Sequence, residues 1–70
     1  MFQLMELVIN GESRSFSSPL TVAGLVAALQ QTGKRIAVER NGEIVVRSRY
    51  IETLLVDGDR IEIVVAVGGG

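Results

Sequence analysis

The sequence contains no cysteine and no histidine, and it has few aromatic residues. Without cysteine the chain has no disulfide, no thiolate metal site and no thiol nucleophile. Without histidine it also lacks the usual general base and the commonest metal ligand. The acidic residues are scattered over turns and strand faces, and no nucleophile–base pair can be assembled from them. The composition therefore argues against an enzyme with its own active site.

An excess of one charge and a long hydrophobic run are absent as well. Seven basic and eight acidic residues give a formal net charge of -1, which argues against non-specific binding to nucleic acid. No apolar run approaches the roughly 20 residues that a helix needs to cross a membrane. The apolar residues 1–5 are too short and uncharged for a secretory signal. We therefore expect a cytoplasmic protein that contacts neither membrane nor nucleic acid.

What the sequence does contain is a series of short strand patterns. Seventy residues form one small domain, which on folding buries about 60% of its surface and has no room for a deep pocket. Apolar residues alternate over residues 5–9 and 60–66, which predicts a strand at each end of the domain. Further strands are predicted over residues 12–17, 36–40 and 43–46. Two Asn-Gly pairs, Asn10-Gly11 and Asn41-Gly42, predict tight turns between neighbouring strands.

A single helix is predicted after Pro19. Thr21 is suited to the N-cap, and helical spacing relates four apolar residues, Val22, Leu25, Val26 and Leu29. We expect the helix to end near Gln31, with Gly33 as its left-handed terminator and Lys34 and Arg35 beside its C-terminus. Residues 47–56 are less regular and predict a crossover containing a turn of 3₁₀ helix.

These elements predict a two-layer α+β domain. One helix with a single apolar stripe covers one face of one sheet, and the cleanly alternating first and last strands are expected side by side at its centre. This is the β-grasp, or ubiquitin-like, fold, with a mixed sheet of four to five strands packed on one helix. We assign residues 1–66 to the β-grasp domain and residues 67–70 to a flexible C-terminal glycine tail.

The tail, Val67-Gly68-Gly69-Gly70, has two interpretations. Glycine has no Cβ, so such a tail is thin enough to enter a narrow slot in another protein. Chain ends are also commonly frayed, which would leave these residues without a role. Composition alone does not separate the two.

The chain resembles the ThiS family of sulfur carriers, prokaryotic relatives of ubiquitin that act in thiamin thiazole synthesis. The stretches that carry the resemblance lie in order along the domain, at residues 10–12, 21–22, 37–45, 57–64 and 66–70. Two departures are visible. Val46 stands where the family often has proline, and residues 1–4 precede the usual start. Neither departure touches the tail.

The resemblance implies a mechanism for the tail. The carboxylate of Gly70 would be adenylated by a ThiF-type adenylyltransferase, which brings ATP and Mg²⁺, since the carrier itself holds no cofactor. A cysteine desulfurase-type donor would then convert it to a thiocarboxylate, which delivers sulfur to the thiazole synthase ThiG. In a chain without cysteine, a persulfide cannot be the carrier group, which agrees with this assignment.

A carrier must dock on its partner enzymes. We predict a docking patch of three apolar residues that face away from the helix, Val8, Val64 and Ala66, together with Val67, and with Gly68 and Gly69 leading from it to Gly70. The alternative is that singly exposed valines are ordinary in strands.

Other functions remain open at this point. A MoaD-like small subunit of molybdopterin synthase, or a sulfur carrier for another pathway, would use the same tail chemistry with a different acceptor. A ubiquitin-like protein modifier would instead join Gly70 to a lysine. A binding module with an inert tail is the remaining possibility.

Overall fold

The computed structural model describes residues 3–66. These residues form five strands, one helix and one 3₁₀ turn. The strands are β1 (Gln3–Ile9), β2 (Glu12–Ser18), β3 (Ile36–Arg40), β4 (Glu43–Val45) and β5 (Arg60–Val65). The helix is α1 (Val22–Ala28), and the 3₁₀ turn spans Arg47–Arg49.

The strands form a single mixed sheet in the order β2-β1-β5-β3-β4. β1 and β5 are parallel, and every other neighbouring pair is antiparallel. The predicted β-grasp arrangement is therefore confirmed, with the first and last strands side by side. β5 is the central strand, and it is also the strand that leads into the C-terminal residues.

The core lies between the sheet and α1. The strict alternation of β1 buries every second residue, and α1 contributes its apolar stripe. Nine residues form the buried cluster: Met5, Leu7, Ile9, Val22, Leu25, Val26, Val38, Leu55 and Ile61. Because Ile61 faces this core, its neighbour Glu62 and then Val64 point to the opposite side of the sheet.

The crossover after β4 is tied to the start of α1. Thr21 caps the helix, its Oγ1 accepting a hydrogen bond from the Gly24 N–H at 3.0 Å, as predicted. The Val22 N–H is not left free at the helix end, because it donates to the Thr53 carbonyl at 2.9 Å. Tyr50, the only tyrosine, packs against the core from this crossover.

The end of α1 differs from the prediction. The helix stops at Ala28 rather than near Gln31, because Gln30 adopts the left-handed conformation with φ +60°. The Gln31 N–H then donates to the Val26 carbonyl at 2.9 Å, which is the 6→1 bond of a Schellman ending. Glycine usually occupies this position, so a glutamine gives no sequence signal for it.

Two consequences of the early helix end correct the sequence interpretation. Gly33 has φ +86° but belongs to the following loop rather than to the helix terminator. Lys34 and Arg35 do not lie in the last turn of α1, which carries no basic residue. They lead instead into β3, beside the strand that carries the tail.

The remaining boundaries shift by one or two residues. β1 begins at Gln3 instead of residue 5, and β2 continues to Ser18 instead of residue 17. β4 and β5 each end one residue early, at Val45 and Val65. Across residues 3–66, no helix has the length and apolar character needed to span a membrane.

Candidate functional site

The site begins at Ala66, the residue that follows the end of β5. The Ala66 N–H donates to the carbonyl of Arg35 at 2.8 Å, so the chain is still held against the start of β3 at this point. Val67, Gly68, Gly69 and Gly70 lie outside the described residues. The predictions made for these four residues therefore stay predictions, while the structure shows the strand from which they continue.

β5 is paired unequally along its length. Its first half pairs with β1 through Val8–Arg60 and Ile9–Ile61, where the β1 pairing ends. On its other side, β5 pairs with the whole of β3, from Arg40–Ile61 to Ile36–Val65. The half of β5 nearest the tail thus has a continuous strand neighbour on one side.

On the other side, the side chain of Asn10 contacts this half of β5. Its Oδ1 accepts a hydrogen bond from the Ile63 N–H at 2.8 Å, and its Nδ2 donates to the Ile63 carbonyl at 3.2 Å. The sequence predicts only a hairpin turn at Asn10. Its position at φ +49° agrees with that assignment, but the contact with β5 is additional and had no sequence signal.

The second Asn-Gly turn makes a similar contact at the opposite end of β5. The Asn41 Oδ1 accepts from the Arg60 N–H at 2.9 Å, and its Nδ2 donates to Oδ1 of Asp59 at 2.9 Å. Asp59 is only 4% exposed, and its Oδ2 accepts from the Nε of Arg40 and the N–H of Val56, both at 2.9 Å. This network fixes where β5 begins.

The pKa of Asp59 follows from these contacts. Burial by itself raises the pKa, since it disfavours the charged carboxylate. The hydrogen bonds from Val56 and Asn41, together with the Arg40 guanidinium, outweigh burial and hold the pKa of Asp59 below its ordinary value of 3.8. Asp59 therefore carries a charge at neutral pH, and its role in the fold is structural.

The sheet face opposite α1 carries the predicted docking patch. Val64 is 62% exposed on this face, and Ala37 lies directly opposite it on β3. Ala66 is also exposed. These three residues form a small apolar surface at the root of the tail, which we call the root patch.

Val8 is not part of this surface, although it lies on the same face. It pairs with Arg60, four residues before Val64, which separates the two valines by roughly 13 Å along the strand. Val8 is also only half-exposed. The structure therefore brings Val64 and Ala66 together and leaves Val8 apart, while Val67 lies outside the described residues.

Charges flank the root patch on two sides. Glu39 and Glu62 lie directly opposite each other on β3 and β5, next to the patch on the same face. On the tail side, Arg35 and Arg47 border a groove of about 310 Å³ whose floor includes Val64 and Ala66. The ion pairs present within residues 3–66 are Arg40–Asp59 and Arg49–Glu52, so neither groove arginine takes part in one.

The described residues offer no cluster of side chains for metal binding. Within residues 3–66, no three acidic side chains come close enough together to hold a metal ion. The other surface grooves have volumes of about 280 to 400 Å³ and are lined by mixed side chains. At Ala66, an exposed apolar surface lies beside two arginines that form no ion pair within residues 3–66 and beside a strand that is held by hydrogen bonds.

Known proteins resemble this chain over nearly its whole length. A crystal structure of a thiamine biosynthesis protein (ThiS) from Geobacter metallireducens superposes with a TM-score of 0.81 at 33% identity, covering 94% of this chain and 100% of that one. The sulfur carrier protein ThiS of Bacillus subtilis is 43% identical over 65 residues, which are 91% of this chain and 98% of that protein.

A larger protein contains a similar segment. A thiazole synthase from Paramagnetospirillum magneticum is 50% identical over 66 residues, or 94% of this chain. This chain spans only 20% of the length of that thiazole synthase. The similarity therefore concerns one segment of the larger enzyme.

The ThiS family model matches residues 3–70, so it includes both the described domain and the glycine tail. The fold, the similarity to two ThiS proteins and the extent of this match agree with one another. The chain belongs to the ThiS family.

Proposed function

We propose that this protein is a sulfur carrier for formation of the thiamin thiazole ring, with the carboxylate of Gly70 as the carrier group. The observation that carries the proposal is the family match, which continues through the glycine tail to residue 70. The protein acts as a co-substrate of partner enzymes, in the cytoplasm, and performs no catalysis itself. Membership of the ThiS family supports the carrier role.

The tail must be activated before it can accept sulfur, because a carboxylate is a poor electrophile. A ThiF-type adenylyltransferase, using ATP and Mg²⁺, would join AMP to the Gly70 carboxylate and release pyrophosphate. The outer sulfur of a persulfide on a cysteine desulfurase-type donor would displace AMP and form an acyl disulfide with Gly70. A thiol would then reduce that disulfide, releasing the donor as a mixed disulfide and leaving a thiocarboxylate. The thiazole synthase ThiG would then take the sulfur.

The absence of side chains explains why glycines suit this reaction. The carboxylate must enter the active site of another protein, where a Cβ next to the reacting carbon would occupy space needed by the adenylate. Gly70 provides the reacting group and Gly69 the clearance beside it. Gly68 and Val67 join these residues to the firmly held end of β5.

The root patch is the proposed docking surface. Val64, Ala37 and Ala66 present apolar area beside the tail, and surfaces of this kind mark interaction sites when they are contiguous. Arg35 and Arg47 border the same surface, so a partner with acidic groups around its tail channel would match it in charge. The thiazole synthase with a segment similar to this chain supports the choice of ThiG as one such partner.

Reconstitution with purified enzymes tests this function. The full chain, supplied with ATP, Mg²⁺, the adenylyltransferase, a desulfurase, a sulfur source, thiazole synthase and the carbon and nitrogen precursors of the ring, should support thiazole formation. A variant lacking Gly69 and Gly70 should fold normally and support none. Full thiazole formation by the truncated variant would exclude a carrier role for the tail.

The same assay separates the related functions. A chain that acquires sulfur but transfers it only to molybdopterin synthase would be a MoaD-like subunit. Adducts of high mass on lysine side chains would identify a protein modifier. Either result would replace the assignment to thiazole synthesis.

A further inference from the structure

The side chain of Asn10 extends the hydrogen-bonded ladder between β1 and β5 by one step. The Asn10 N–H donates to the Ile61 carbonyl at 2.9 Å, as the next residue of a parallel strand would. Its side-chain amide then meets both polar groups of the Ile63 backbone, at 2.8 Å and 3.2 Å. A carboxamide carries the same donor and acceptor as a peptide group, so it replaces the peptide that β1 no longer supplies.

This contact matters because of where it lies along β5. Past Ile61, β1 makes no further pair with β5, and β3 continues alone on the other side as far as Ile36–Val65. The N–H and carbonyl of Ile63 both point to the β1 side, so Asn10 partners this backbone three residues before Ala66, while β3 holds β5 from the other side. Backbone held on both sides opens less often than backbone held on one.

We propose that Asn10 is a positioning residue, which holds residues 63–66 extended and so fixes the position and direction of the strand end from which the C-terminal residues continue. The inference rests on the proposed function, since direction matters only if the tail must enter a partner's active site. If residues 63–66 are ordered before docking, binding does not carry the entropy cost of ordering them. Asn10 would thereby lower the concentration of carrier that the partner requires.

The chain provides its own control in Asn41. This residue also precedes a glycine, has φ +52°, and contacts β5 through its side-chain amide. It contacts Arg60, at the end of β5 that is farthest from the tail. Glycine accepts the left-handed conformation at either position, so Asn10→Gly and Asn41→Gly each remove an amide without straining the turn.

Amide hydrogen exchange tests the structural part of the proposal. In Asn10→Gly, the amides of Ile63, Val64 and Ala66 should exchange about tenfold faster relative to the amide of Leu7. Losing the net free energy of one hydrogen bond shifts the local opening equilibrium by about that factor. Asn41→Gly should leave that ratio unchanged. A second variant, Asn10→Asp, keeps the acceptor but loses the Nδ2 donor, and it should accelerate the same amides by a smaller factor.

Steady-state adenylation tests the functional part. Asn10→Gly should raise the KM for the adenylyltransferase several-fold more than Asn41→Gly does, with a smaller change in kcat. Equal KM values for the two variants, or exchange that accelerates uniformly over β1 and β5 in both, would overturn the proposal. If the wild-type chain were not adenylated at all, the proposed function would fail, and the exchange pattern would still decide whether Asn10 holds β5.

Discussion

At the scale of single residues, the charge on Asp59 contributes to stability. Its carboxylate is almost fully buried and accepts hydrogen bonds from Arg40, Asn41 and the Val56 backbone. Removing one member of such a network leaves the others without a partner. The desolvation of these unpaired groups accounts for most of the lost stability. The sequence Asp57-Gly58-Asp59 is typical of a turn, but it does not distinguish the exposed aspartate from the buried one.

The lowered pKa of Asp59 predicts a specific loss of stability in acid. The folded state binds a proton less readily than the unfolded chain, so this contribution is complete well above pH 3.8 and is lost as the pH falls through the folded pKa. Asp59→Asn should destabilise the domain by about 2 kcal/mol at pH 7, measured by denaturant unfolding. The difference in unfolding free energy between this variant and wild type should become smaller below pH 4. A difference that stayed constant down to pH 2 would contradict a stabilising role for the Asp59 charge.

At the scale of elements, β5 combines the core, the docking surface and the tail. Ile61 is fully buried, while Val64 is largely exposed on the opposite face, as the period of a strand requires. The alternation in the sequence was sufficient to predict both faces. It could not show that Val8 lies apart from Val64, because the register between β1 and β5 depends on packing of the whole core.

A substitution in β5 tests the root patch. Val64→Asp should leave the fold intact, because the side chain is 62% exposed, and it should weaken binding to the adenylyltransferase by about tenfold or more through a buried charge at the interface. Ile51→Asp is the matched control, since Ile51 is 77% exposed but lies on the crossover. Binding would be measured by titration calorimetry. Equal affinities for the two variants would show that the root patch is not the docking surface.

At the scale of the whole molecule, the fold was predictable because local signals and the global arrangement agree. Alternation, Asn-Gly turns and a single amphipathic helix leave few arrangements for a small α+β domain. The predicted end of α1 was wrong because Gln30, rather than a glycine, adopts the left-handed conformation that ends the helix. The contact of Asn10 with Ile63 also could not be predicted from local sequence patterns, because it joins residues 53 positions apart.

The architecture agrees with the proposed role, in which the chemistry takes place on the residues that follow β5. Its core is formed by the sheet and one helix, and its central strand runs directly into the residues that would react. Both Asn-Gly turns contact that strand, one near each end. The domain thus serves to hold one strand firmly and to present the groups that follow it.

The central claim, that Gly70 carries sulfur, is tested most directly by intact-mass spectrometry of the chain after incubation with ATP, Mg²⁺, the adenylyltransferase, a desulfurase and cysteine. We predict a mass gain equal to the difference between one sulfur and one oxygen atom, located on the C-terminal peptide that contains Gly70. The gain should disappear when ATP is omitted. An unchanged mass, or the same gain on a chain lacking Gly69 and Gly70, would contradict the account.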